Sequence, residues 1–241
     1  MSTPNTTKWI AVGLLGLPLY GVLTFLASID PQPDPNTHYE AWSRFATTNG
    51  YVLKHLLLTT LGMIFGIFGT IALGAYLTRS RAGRMGLWAM VITVLGYSLF
   101  LPWAGTSTFA APREGQAYLA GIEEFHELPI ILAITLQGLT VVGSIVLAFV
   151  GNVLLGVALW RSGILPKWAG ALWVFAPVLI YIFGLVYAMT IGAQATPPTV
   201  PAGALVLAIS GAWLAWSVLS RPSTIRQEAM VATAEAQARA R

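Results

Sequence analysis

Residues 9–28 read WIAVGLLGLPLYGVLTFLAS, an uncharged stretch that opens after Lys8 and closes before Asp30. About 20 such residues are what an α-helix needs to cross the hydrocarbon core of a bilayer. A secretory signal would carry a small-x-small cleavage pair before the polar residues resume. None precedes Asp30, so the segment is expected to stay in the protein as its first helix.

Five further apolar runs follow at about 52–77, 85–104, 129–159, 169–193 and 201–219, each bounded by charge, proline or glycine. Of the 241 residues, 56% are hydrophobic and 9% charged, with a mean hydropathy of +0.72; soluble domains carry roughly 25% charge. The expected fold is all-α: a polytopic bundle of six transmembrane spans filling residues 1–220, followed by a tail over 221–241. The tail, STIRQEAMVATAEAQARAR after Pro222, is alanine-rich with spaced charges and too few apolar residues for a strong face. With no cysteine the chain cannot form disulfides, Zn-thiolate sites, iron-sulfur clusters or c-type haem attachments. Its pI near 9.6 implies no nucleic-acid partner, because the basic residues flank spans, where they set orientation.

Counting those residues on alternate sides of the spans gives the topology. Lys8, Arg79, Arg81, Arg84, Arg161, Lys167, Arg221, Arg226, Arg239 and Arg241 fall on one side, ten of the thirteen basic residues. Arg44, Lys54 and Arg113 fall on the other, together with Asp30, Asp34, Glu40, Glu114, Glu123, Glu124 and Glu127, seven of nine acidic residues. The positive-inside rule then places both termini in the cytoplasm.

Every ionisable Asp, Glu, Lys and Arg lies at or beyond a span end. Pumps, ion-coupled carriers and voltage sensors usually hold such a group within the membrane, which disfavours those classes. The strongly polar side chains inside the spans are Gln137 and Asn152, both on the fourth run and about 60° apart around an ideal helix. Hydrogen bonding between helices is one role open to them, and lining a substrate path is the other. Gly62, Gly66 and Gly69 recur at helical spacing, as do Ser144, Ala148, Asn152 and Gly156, offering narrow faces for close packing. Pro18 and Pro177 are expected to kink the first and fifth spans. Trp9, Trp88, Trp160 and Trp168 gather at the cytoplasmic ends, as an aromatic belt does.

LGAYLTRS (73–80) and LGVALWRS (155–162) end the second and fourth spans alike, and the next span of each opens with a Leu-Trp pair, Leu87-Trp88 and Leu172-Trp173. Either helices two and three repeat as four and five, in one orientation, or the likeness reflects the basic ends common to inward-running helices. The first outer loop, DPQPDPNTHYEAWSRFATTNG (30–50), starts extended and turns helical. Asn36 or Thr37 is expected to cap that helix, with Glu40 and Arg44 as an i,i+4 pair, Tyr39 and Trp42 on one side, and the whole lying flat on the membrane.

The segment from Gly105 to Leu128 reads as the second outer loop and ends in GIEEFHELP (121–129). There Glu123, His126 and Glu127 share a helical arc at i, i+3, i+4 spacing. His38 and His55 fall on the same outer side. A Glu-x-x-His pair can place two ligands on one metal. His55, Glu123, His126 and Glu127 are therefore a candidate set for a transition metal such as Zn, Fe or Cu, and His55 with His126 a candidate axial pair for b-type haem. A solvated helix start accounts for the same residues, since carboxylates favour the positive end of the helix dipole. Neither His-Glu-x-x-His, Gly-x-Ser-x-Gly nor a Walker loop occurs.

GTSTFAAPREGQAYLAG (105–121) and WRSGILPKWAG (160–170) resemble segments of uncharacterised bacterial integral membrane proteins of the same size and helix number, over about residues 55–185. The resemblance implies a six-helix bundle in the bacterial cytoplasmic membrane and supplies no activity. Two functional classes stay open. In the first, the chain is an integral membrane subunit that binds a lipid-soluble ligand, a partner protein or a second copy of itself among bilayer lipids. In the second, it is a metal- or haem-dependent enzyme, an oxidoreductase for example, with its centre at the extracytoplasmic face.

Overall fold

The computed structural model describes residues 4–29, 32–122, 131–191 and 197–220. Among the described residues the regular structure is helical throughout. Six helices are long and apolar enough to cross a membrane: α1 (Lys8–Ser28), α3 (Asn49–Leu77), α4 (Gly83–Leu119), α5 (Thr135–Ser162), α6 (Lys167–Tyr187) and α7 (Thr199–Leu219). A short helix, α2 (Tyr39–Ala46), lies between the first two. The tail from residue 221 and most of the 121–129 segment fall outside the described residues.

Each spanning helix packs on its neighbour in sequence, and α7 returns to pack along α1, closing a ring of six. The inward faces are Leu14, Leu17, Leu73, Leu77, Leu155, Leu159, Trp173 and Leu214, all fully buried. The outward faces are as apolar as the core: Leu139 is 64% exposed and Trp216 71%, which a soluble fold would not tolerate but a hydrocarbon solvent requires. Trp9, Trp88, Trp160 and Trp168 are exposed at the end opposite α2, where Trp160 and Trp168 meet edge to face at 5.6 Å. Arg81, Arg84 and Arg161 gather at that same end around the α3–α4 turn.

Glycine sets how closely the helices approach. A Cβ on Gly151 would lie 2.6 Å from the Thr93 backbone nitrogen of α4, and one on Gly21 would lie 2.6 Å from Ala208 Cα of α7. The closest seams of the ring therefore run backbone to backbone. Ser210 Oγ of α7 adds a buried hydrogen bond to the Ala169 carbonyl of α6 at 2.8 Å.

Proline redirects three helices. Pro18 has no N–H for the Leu14 carbonyl, and α1 breaks its regular pattern just before it, where the Leu15 N–H reaches back only to Val12 O at 3.1 Å. Pro102 and Pro177 are each followed by a widened π-helical turn, Thr106–Ala110 and Val178–Phe183, and a third such turn spans His55–Thr60 near the start of α3.

The structure bears on two expectations about the loops. The segment after residue 104 does not turn irregular: α4 continues through it to Leu119. Hydropathy falls there because the helix leaves the apolar zone, while the backbone stays helical, supported by Thr106 Oγ1 and Thr108 Oγ1 donating to the Pro102 and Ala104 carbonyls at 3.1 and 2.7 Å. Nor do Asn36 or Thr37 cap α2. His38 occupies the cap position without a side-chain bond, and Asp34 organises the preceding turn by accepting the Asn36 N–H at 2.9 Å. The Glu40–Arg44 pair forms, at 2.7 Å in an exposed setting. Tyr39 and Trp42 stack with centroids 5.2 Å apart.

The two similar helix ends share one turn geometry. Ser80 Oγ donates to Leu77 O and accepts from Ala82 N, and Ser162 Oγ donates to Leu159 O and accepts from Ile164 N. The likeness stops there, since Trp88 is 63% exposed while Trp173 is fully buried.

Gly151→Val should destabilise the bundle by about 1–3 kcal/mol through overpacking against Thr93. Gly138→Ala, where an added Cβ meets open space, should be neutral or slightly stabilising. Thermal unfolding in detergent separates the two.

Candidate functional site

Inside the ring, three tyrosines from different helices converge. Tyr20 of α1 and Tyr97 of α4 have ring centroids 5.1 Å apart, and Thr24 of α1 and Tyr181 of α6 line the same cavity with them. Beneath them lies Asn152 of α5, 2% exposed. Its amide Nδ2 donates to the Ala148 carbonyl at 2.7 Å and to the Tyr97 hydroxyl at 3.0 Å, while Oδ1 accepts from Trp173 Nε1 of α6 at 3.1 Å. A carbonyl can only accept and an indole N–H can only donate, so these two partners fix which way the amide points. One side chain thereby ties α5 to α4 and to α6.

The tyrosines wall a cavity of about 180 Å³, lined also by Thr24, Thr59, Met63, Phe100 and Ile145. Toward the α2 end it meets a wider vestibule of about 650 Å³, and Thr24, Ala27, Thr59 and Phe100 line both. His55, Tyr51, Trp42, Trp103, Asp34 and Glu114 are among the vestibule's walls. The three π-helical turns all contribute: the first places His55 and Thr59, the second Thr106, the third Ile180 and Tyr181. Widened turns of this kind are frequent at functional sites because they redirect side chains that a regular helix would aim elsewhere.

His55 is buried and its Nδ1 sits 2.9 Å from the Tyr51 carbonyl. A carbonyl partner makes Nδ1 the donor, which leaves Nε2 as the acceptor of the neutral ring. The imidazole also stacks on Tyr51 at 4.0 Å. Over the vestibule rim, α2 buries Trp42, Ser43 and Ala46 and packs on the end of α4, with Ser43 against Gly115. Tyr39 anchors it there by donating to Glu114 Oε1 at 2.9 Å. Burial, and then the Glu114 carboxylate, push the Tyr39 phenol well above its ordinary value.

The residues singled out from sequence thus separate. Asn152 lies in the buried network, His55 lines the vestibule, and Gln137 is exposed on α5 apart from both. Glu123, His126 and Glu127 lie outside the described residues, and among the described residues no three His, Asp or Glu side chains gather as a metal site would require. Sequence reasoning missed Tyr20, Tyr97, Tyr181 and Trp173. A signal was present: tyrosine favours membrane interfaces, yet Tyr20, Tyr97 and Tyr181 stand twelfth, thirteenth and thirteenth in the runs beginning at 9, 85 and 169, at mid-membrane depth. No protein-family description, curated protein or solved structure matches the chain.

Asn152→Leu leaves the Trp173 N–H without its acceptor and should cost about 1–3 kcal/mol, whereas Gln137→Leu should stay within about 0.5 kcal/mol of the parent; reversible unfolding in mixed micelles measures both. For Tyr39, a phenol pKa raised by folding contributes stability that is complete below the unfolded value of about 10 and declines at higher pH. Protection of the residue 39–46 amides, taken relative to the intrinsic base-catalysed exchange rate, should accordingly fall above that pH, and Tyr39→Phe should remove that fall.

Proposed function

We propose that this bundle is an integral membrane protein that binds a lipid-soluble small molecule in the tyrosine-lined cavity, which the molecule reaches through the vestibule. The observation that carries the reading is the adjacency of the two spaces across Thr24, Ala27, Thr59 and Phe100, which line both: a mostly apolar chamber with a few hydroxyls beside a wider space that holds the ionisable groups. Small-molecule sites have this make-up, an apolar lining with a small number of placed polar groups, and lie between the helices of bundles. The three π-helical turns around the site support the same conclusion, since regular helices would pack the ring more simply. We further propose that both termini face the cytoplasm of a bacterial cell and that the vestibule faces outward, on the strength of the arginines gathered at the opposite end.

Thr59 stands at the neck common to both spaces, so Thr59→Phe should block entry without touching the Asn152 network. Purified parent protein, extracted with organic solvent and analysed by mass spectrometry, should release a non-phospholipid compound at near-stoichiometric yield, and Thr59→Phe should release at least tenfold less. Identical extracts from two equally well-folded proteins would overturn the reading.

A further inference from the structure

The end of the ring opposite α2 holds a space of its own. A hollow of about 980 Å³ is lined by Arg81 of the α3–α4 turn, Arg84 in the first turn of α4 and Arg161 in the last turn of α5. No residue lines both this hollow and the tyrosine-lined cavity or its vestibule. We propose that the hollow binds the phosphate of an anionic membrane phospholipid whose head group carries no amine.

Charge is the first ground. No carboxylate lines the hollow, and the described carboxylates, Asp34, Glu40 and Glu114, stand at the α2 end. Among the described residues the ion pair that forms is Arg44 with Glu40, so the guanidinium donors of Arg81, Arg84 and Arg161 are left for another acceptor.

Position is the second. Marking orientation requires only that a basic residue flank a span, whereas Arg81 is held in a particular place. Gly163, two residues past Arg161, has a φ of +71°, and a Cβ there would lie 2.7 Å from Arg81 Nη2. Glycine alone adopts that backbone at no steric cost and also leaves the guanidinium its room. Arg81 thus lies across the α5–α6 turn, and two chain turns contribute cations to one hollow.

These cations select the head group. A guanidinium fork pairs with two phosphate oxygens at once, and arginines from separate turns can engage separate oxygens. A choline or ethanolamine head group would add a cation beside three others, with no lining carboxylate to receive it. A glycerol head group adds only hydroxyls.

The neighbouring surface points to a lipid rather than a soluble phosphate. Leu87 lines the hollow and is exposed, as are Val91 and Leu95 farther along α4. Residues four apart share one helical face, so an apolar track leads from the arginines toward mid-membrane. An acyl chain attached to the phosphate covers that track, and a free phosphate leaves it bare.

Native mass spectrometry of the full-length protein in micelles tests the site, with dioleoylphosphatidylglycerol, dioleoylphosphatidylcholine and soluble glycerol 3-phosphate as probes. One phosphatidylglycerol should bind at least tenfold more tightly than phosphatidylcholine, and millimolar glycerol 3-phosphate should not displace it. Arg81→Gln, Arg84→Gln and Arg161→Gln should each weaken binding severalfold. Arg79→Gln and Lys167→Gln remove the same charge from exposed neighbours outside the lining and should leave it within twofold of the parent. Gly163→Ala keeps every charge but crowds Arg81, and should also weaken binding severalfold; if it lowers the melting temperature, the five charge variants decide the matter alone. Equal affinity for the two lipids, displacement by glycerol 3-phosphate, or an equal loss in all five charge variants would each overturn the proposal.

Discussion

The arrangement depends on one amide. In lipid, a polar side chain has no water to fall back on, so an interior asparagine must find its partners in protein. Asn152 finds three, and two of them, the Ala148 carbonyl and the Trp173 indole, are single-purpose groups that leave the amide one orientation. The net energy of such bonds between membrane helices is modest, about 0.6 kcal/mol on average where it has been measured. Their value here is positional: Tyr97, Asn152 and Trp173 meet only when α4, α5 and α6 stand in one register.

Around that fixed point the ring can afford an opening. Glycine seams at Gly21 and Gly151 bring α1 to α7 and α4 to α5 at backbone distance, while the widened turns after Pro177 and at His55 push side chains of α6 and α3 off the regular helical path. Close seams beside widened turns leave the chamber between Tyr20, Tyr97 and Tyr181, with Gly96 and Ala148 of one such seam in its lining. The cap α2, held by Tyr39 on Glu114, partly roofs its mouth.

Much of this was legible in the sequence, and the boundary of legibility is physical. Hydropathy located all six spanning helices because lipid selects composition along the chain, residue by residue. The apolar run ends at 104 while α4 runs on to Leu119, because a helix that emerges from the apolar zone keeps its backbone bonds while changing its side chains. Asn152 stood out as a lone polar group on an apolar run, but its partners did not, since tyrosine and tryptophan are counted as ordinary membrane residues and only their depth sets Tyr20, Tyr97 and Tyr181 apart. The π-helical turns were invisible: no composition marks the one at His55, and prolines 102 and 177 announce a bend without saying that it is absorbed as a wider turn.

The indole of Trp173 reports on the central claim most directly. In ¹⁵N-labelled protein in nanodiscs, its Nε1–H resonance, assigned by loss in Trp173→Phe, should be among the slowest of the nine tryptophans to exchange with D₂O and should shift in both Asn152→Leu and Tyr97→Phe. An indole that exchanges as fast as exposed Trp9, or that ignores the loss of the Asn152 amide, would contradict the account.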